Sequence, residues 1–379
     1  MIALDWISKL VGGRLTARRG VAALVCLAAF PAHGQGVTLT QVADFSGRGK
    51  AVAVPASEGA KACIAAHNAS PAGAASPARL VLQDDKFDAA TSRALAEASI
   101  RSGTTAFINS LGADTTNAIA EVAGPASVPV VGAITGATSV RARKHATIFF
   151  IRSSIVHEGR HAVRHLHTLG LKRIAVFHTD DAYGRDGLEA VKTAMAELAL
   201  SAPKAVSYVT SQKDAGPAPD QLADAEAVVM FGSGPVMADF VKRMRAKASP
   251  AMLIAASAAN MTALVDAVGV KAARGVGYLR SVPSASERSV VGRQFRQIWK
   301  AHGTKQEPTS FHLEGCIAAQ VALRVAQTAG TSPQKMLRAL QNTSMAPFGD
   351  FRLDFRNPRN EGSSWVSIAV INHAGVLLD

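Results

Sequence analysis

The stretch Arg173-Ile174-Ala175-Val176-Phe177-His178-Thr179-Asp180-Asp181-Ala182-Tyr183-Gly184-Arg185-Asp186-Gly187 decides how the rest of the chain is read. Its apolar run, Arg173–His178, has the length of a strand. It stops at a pair of aspartates, and small and polar residues lead into an amphipathic stretch near 184–199. Strand, polar loop and helix make up the first half of a βαβ unit. The same succession recurs on both sides. Toward the N-terminus, 37–45 leads to a helix at 57–68, 80–83 to 88–102, and 106–110 to 115–126, and 128–132 ends in a small-residue loop. Toward the C-terminus, 227–232 leads to 235–248 and 251–255 to 260–267. Strands separated by helices of this size form parallel sheets with helices on both faces. The series breaks near 153 and restarts, which predicts an α/β protein of two doubly wound parallel-sheet lobes. Long helical patterns at 286–302 and 310–329 follow. The chain then ends in a strand-rich tail, 351–355 and 365–371, around the turn Asn357-Pro358-Arg359-Asn360.

Composition narrows the function classes. Of 379 residues, 48% are hydrophobic and 18% charged, enough apolar side chain for a substantial core and too little charge for a disordered chain. Aromatics make up only 5%, and the Lys and Arg that give a net charge of +13 are dispersed rather than blocked together. Neither fact suits a nucleic-acid partner. Three cysteines are too few for a disulfide scaffold or a multi-cysteine metal site.

The first 35 residues have the makeup of an export signal. Lys9, Arg14, Arg18 and Arg19 precede the apolar run Val21–Phe30, and small residues Ala32 and Gly34 follow it. Ten apolar residues cannot cross a bilayer core that needs about 20. Cleavage near Gly34 leaves a net charge of +10 and places the mature protein in the periplasm.

In open α/β sheets, ligands bind at the carboxyl ends of strands where strand order reverses. That rule selects the loops 46–49, 112–116, 135–139, 180–184, 233–235 and 257–260, which are rich in Gly, Ala, Ser and Thr. Gly112-Ala113-Asp114-Thr115-Thr116 opens a helix, whose free N–H groups favour an anion, although Asp114 or Thr115 also suits a simple cap.

These residues, in this order, resemble the leucine/isoleucine/valine-binding family of periplasmic solute receptors. Asp180 through Gly187 is similar to its D-x-x-Y-G-x-x-G turn. Thr135-Gly136-Ala137-Thr138-Ser139-Val140-Arg141, with Arg152-Ser153-Ser154 and Glu158, is similar to its "TGA…LR…RxS…E" stretch. Ala43–Gly47 sits at its first cleft loop, and 349–375 resembles its closing strands. The resemblance spans 36–379 and implies the type I periplasmic-binding fold, with three crossovers acting as hinges near Ser153, Ser281 and Pro347. Carried over, one lobe is 36–153 plus 282–347 and the other 154–281 plus 348–379. The ligand-binding residues it implies are Ser46, Gly47, Ala113, Asp114, Thr115, Thr116, Thr135, Gly136, Ala137, Tyr183, Ser233 and Ser257.

The departures bear on the ligand. Ala113 lies where amino-acid-binding members use a serine, and Ser257 about where they place a glutamate for the ligand's ammonium. A neutral hydroxyl supplies no countercharge, so a carboxylate without an obligatory ammonium is the expected ligand. Asp114, Glu158 or Asp181 would restore the charge if it turned into the cleft. Arg48 and Lys50, after the first loop, would add positive potential.

Two features suggest other chemistry. His157-Glu158-Gly159-Arg160-His161 fits H-E-x-x-H, the zinc-peptidase pattern, but Gly159 weakens the helix and no third ligand stands out. His157, His161 and His165 are therefore expected to form a solvated helix face. Cys63 and Cys316, among alanines, read as buried inert thiols. The expected function is non-catalytic capture of a small organic ligand for an ABC transporter permease in the inner membrane. The protein would act as a monomer without cofactor or metal; the alternative is a sensing module for a membrane signalling partner.

Overall fold

The computed structural model describes residues 36–142, 145–286 and 288–378. The expected export signal at 1–35 lies outside the described residues. The first sheet holds β1 (Val37–Ala43), β2 (Ala78–Asp84), β3 (Ala106–Ile108), β4 (Val130–Val131) and β5 (Ile148–Phe149), all parallel, in the order β2-β1-β3-β4-β5. The second repeats that pattern with β6 (Ile174–Thr179), β7 (Lys204–Tyr208), β8 (Ala227–Phe231), β9 (Met252–Ala255) and β10 (Gly277–Arg280), in the order β7-β6-β8-β9-β10. After the hairpin β11 (Ser344–Phe348) and β12 (Phe351–Asp354), the strands β13 (Ser367–Ile371) and β14 (Leu377–Leu378) extend the second sheet antiparallel beyond β10. Every residue of β6 is buried, as expected for a parallel strand covered on both faces.

The helices are α1 (Lys50–Asn68), α2 (Pro71–Ala75), α3 (Ala89–Arg101), α4 (Ala113–Ala123), α5 (Thr138–Arg141), α6 (Ile155–Thr168) and α7 (Ala182–Glu197). They continue with α8 (Ala218–Gln221), α9 (Gly234–Ala246), α10 (Met261–Val268), α11 (Val270–Ala273), α12 (Val290–His302), α13 (Ser310–Ala329) and α14 (Pro333–Gln341). The first sheet packs α1, α12, α13 and α14 on one face and α3 and α4 on the other. The second packs α9, α10 and α11 on one face and α6 and α7 on the other. Among the described residues no helix is long and apolar enough to cross a membrane.

The alanine and glycine content has its physical reason where α1 meets α13. A Cβ on Gly59 would stand 1.8 Å from the His312 carbonyl oxygen, and one on Gly315 would stand 1.9 Å from that of Ala56. The two backbones are in direct contact, so α13 is buried on nearly every side. At this contact Cys63 and Cys316, whose Cα atoms are 5.3 Å apart, form a disulfide. That corrects the reading of the two cysteines as separate inert thiols. An oxidising compartment is where such a bond persists.

One expectation about the tail also changes. The chain was expected to leave the first lobe near Pro347. Instead Phe348, Phe351, Leu353 and Phe355 pack with Phe149, Phe295 and Leu313 under the first sheet, each large side chain gaining about 1.5–3 kcal/mol from burial. We therefore propose lobes of 36–153 with 282–355, and 154–281 with 366–378, the third crossover lying between Phe355 and Trp365.

Candidate functional site

Strand order reverses between β1 and β3 in one sheet and between β6 and β8 in the other. The loops leaving these strands meet across a cleft. Three hydrogen bonds span it directly: Arg48 Nη1 donates to Thr210 Oγ1 (2.9 Å), Thr138 N–H to the Asp186 carboxylate (2.7 Å), and Asn260 Nδ2 to the Ala51 carbonyl (2.9 Å). A cavity of about 1000 Å³ opens between α1 and the start of α10, lined by Gly47, Arg48, Lys50, Val54, Asn260 and Met261, among others.

The first loop is built by its own acid. Asp44, fully buried, accepts the N–H groups of Gly47 (2.6 Å) and Gly49 (2.7 Å), which folds 45–49 over the end of β1. Ser46 and Gly47 are exposed there. On α4 the expected hydroxyls are not available. Thr115 Oγ1 donates to the Leu111 carbonyl and Thr116 Oγ1 to Ser110 Oγ (3.0 Å), both buried. Both hydroxyls thus donate within the chain, and beside them stand Gly112, at φ 93°, the half-buried Ala113 and the exposed Asp114. Thr135 Oγ1 accepts the Ala137 N–H (3.2 Å), and the Gly136 carbonyl accepts Ile155 N–H (2.9 Å), tying this loop to the first crossover. Ser233 is exposed at the start of α9.

Beneath the cleft lies a buried polar chain. Arg152 is 2% exposed and donates through Nε and Nη2 to Glu314 on α13, at 2.8 and 2.9 Å. Its Nη1 reaches Ser257 Oγ at 3.4 Å. Ser257 donates its N–H (2.8 Å) and hydroxyl (2.7 Å) to the carboxylate of Glu158, and its carbonyl accepts the Tyr278 hydroxyl (2.9 Å). Burial raises the Glu158 pKa, and Arg152 partly opposes this. Burial also works against the charge of Arg152, but Glu314 outweighs it and the pKa rises. Arg141 donates to the carbonyls of Thr135, Arg152 and Ser153 and to Glu361. Burial lowers its pKa to about 10, with Glu361 opposing. The Tyr183 hydroxyl is buried without a hydrogen bond among the described residues, and burial pushes its pKa well up.

Ser257, expected as a ligand contact, is buried and donates its hydroxyl to Glu158. Glu158 fills the space beside it and is spent on it. The same inward turn removes Glu158 from any zinc site. His157 Nδ1 hydrogen-bonds Ser154 Oγ (2.9 Å), and no cluster suited to a metal occurs among the described residues. His157 and His161 are half-buried, and burial lowers both pKa values, so the helix face is less solvated than expected. Sequence reasoning missed the Arg152–Glu314 pair, Phe87 and Asp186. Only Arg152 carried a signal, its place in the RxS motif.

The family model for periplasmic binding proteins matches residues 36–375. Among solved structures, an extracellular ligand-binding receptor from Verminephrobacter eiseniae is 26% identical, with a TM-score of 0.81 over 91% of this chain and 100% of that one. A branched-chain amino acid ABC transporter protein from Thermus thermophilus, with bound valine, is 16% identical with a TM-score of 0.80 over 91% and 95%. A solute-binding protein from R. palustris in complex with benzoate is 16% identical with a TM-score of 0.78 over 90% and 95%. Comparison with curated proteins gives no match.

Proposed function

Since the chain belongs to the periplasmic binding protein family, whose members bind ligands rather than catalyse reactions, we propose that it captures a small organic anion between its lobes. In this reading it is exported, acts as a monomer and delivers the anion to an ABC transporter permease. One observation carries the ligand class: four acids around the cleft, Asp44, Asp181, Asp186 and Glu158, already accept hydrogen bonds from the chain's own donors. Asp44 holds Gly47 and Gly49, Asp181 holds Gly184 N–H and the Thr179 hydroxyl, Asp186 holds Thr138, and Glu158 holds Ser257. A ligand ammonium entering this cleft would compete with these donors for carboxylates that already hold the loops in place. The other charge is favoured. The first-turn N–H groups of α4 have no partner within the helix, and they stand where a carboxylate gains from the helix dipole.

Calorimetry of the mature protein against leucine and its keto analogue, 4-methyl-2-oxopentanoate, tests this. The keto acid is expected to bind and leucine not. Tight binding of leucine with none of the keto acid would refute the reading.

A further inference from the structure

Arg48 stands at the mouth of the cleft on an aromatic mount. Its guanidinium carbon lies 4.2 Å from the centroid of the Phe87 ring, a cation–π distance, while Nη1 reaches across to Thr210. Among the described residues no carboxylate pairs with it. Of its five N–H donors one is spent on Thr210, and the side chain lines the interlobe cavity.

The mount is built with effort. Lys86 and Phe87 both take positive φ, 53° and 61°, which side-chain-bearing residues rarely do. Two adjacent acids hold this turn: Asp84 accepts Lys86 N–H (3.2 Å), and the buried Asp85 accepts Phe87 N–H (2.9 Å). The Phe87 ring then fits against Gly112, where a Cβ would lie 2.8 Å from Cζ. Strained backbone persists where surrounding structure imposes it, and it concentrates at functional sites. Here the strain sets one aromatic ring between the α4 N-terminus and a guanidinium that reaches across the cleft mouth.

We propose that Arg48, positioned by Phe87, is a specificity-determining residue: it pairs with the ligand's anionic group and selects anions over neutral molecules of the same shape. This rests on the reading of the ligand as an organic anion. The test is calorimetry with benzoate and 4-methyl-2-oxopentanoate, each beside its neutral amide, on wild type, Arg48→Gln, Arg48→Lys and Thr210→Ala. Arg48→Gln should weaken the acids about tenfold or more, the loss of a charge-assisted bond, and leave the amides within about twofold. Arg48→Lys should retain part of the preference, since the charge stays but the planar stack is lost. Thr210→Ala should preserve the preference, because it breaks the bridge and keeps the cation. If wild type binds an acid and Arg48→Gln binds it equally, or loses acid and amide alike, the role of Arg48 is wrong while the anion reading stands. If wild type binds neither acid, both fall.

Discussion

Glu158 carries its burial at a cost that depends on pH. Desolvation raises its pKa above the ordinary 4.5, against the pull of Arg152 and the two bonds from Ser257. A carboxyl whose folded pKa is raised helps stability below the unfolded value and loses that help as pH climbs through the folded pKa. Wild type should therefore lose stability relative to Glu158→Gln as pH rises from 4 through that raised pKa, which Tm measured in a pH series on both proteins would show. A constant difference between them would contradict the assignment. At this scale the sequence was legible only in part. Ser257 was read as a cleft hydroxyl standing in for an acid, but position alone did not reveal that Glu158 would turn inward and take up that hydroxyl. The same applies to Thr115 and Thr116, whose type suited a ligand but whose hydroxyls close bonds to Leu111 and Ser110.

Among the elements, α1 and α13 set the first lobe's rigidity. Their backbones touch through Gly59 and Gly315, and the Cys63–Cys316 disulfide joins them across 253 residues of chain. Closing so long a loop restricts the unfolded chain strongly, so replacing both cysteines with alanine should cost about 2–5 kcal/mol in urea unfolding. Unchanged stability would mean that the bond constrains nothing. The abundance of alanine and glycine predicted close helix packing, and α3, α7, α9, α10 and α13 fell within a few residues of where periodicity put them, whereas α1 starts at Lys50 instead of 57 and α14 was not anticipated. Their pairing was not legible, because the register that brings Cys63 to Cys316 depends on contacts far apart in sequence. The β11–β12 hairpin shows the same limit: its phenylalanines are apolar enough for either lobe, and only packing against Phe295 and Phe149 decides.

For the whole molecule, the alternation of strands and helices and the break near 153 were enough to predict two doubly wound sheets. The repeated strand order, β2-β1-β3-β4-β5 and β7-β6-β8-β9-β10, bears that out. No change in composition marks the third crossover, and our placing of it after Phe355 rests on the packing of Phe348, Phe351 and Phe355 under the first sheet. We propose that the lobes, in direct contact at Arg48–Thr210, Thr138–Asp186 and Asn260–Ala51, part by hinging at the three crossovers. Small-angle scattering of the mature protein, with and without 4-methyl-2-oxopentanoate at a concentration that calorimetry shows to be saturating, tests the central claim most directly. The account predicts a smaller radius of gyration with the keto acid and no change with leucine; identical curves with the keto acid bound, or closure on leucine alone, would contradict it.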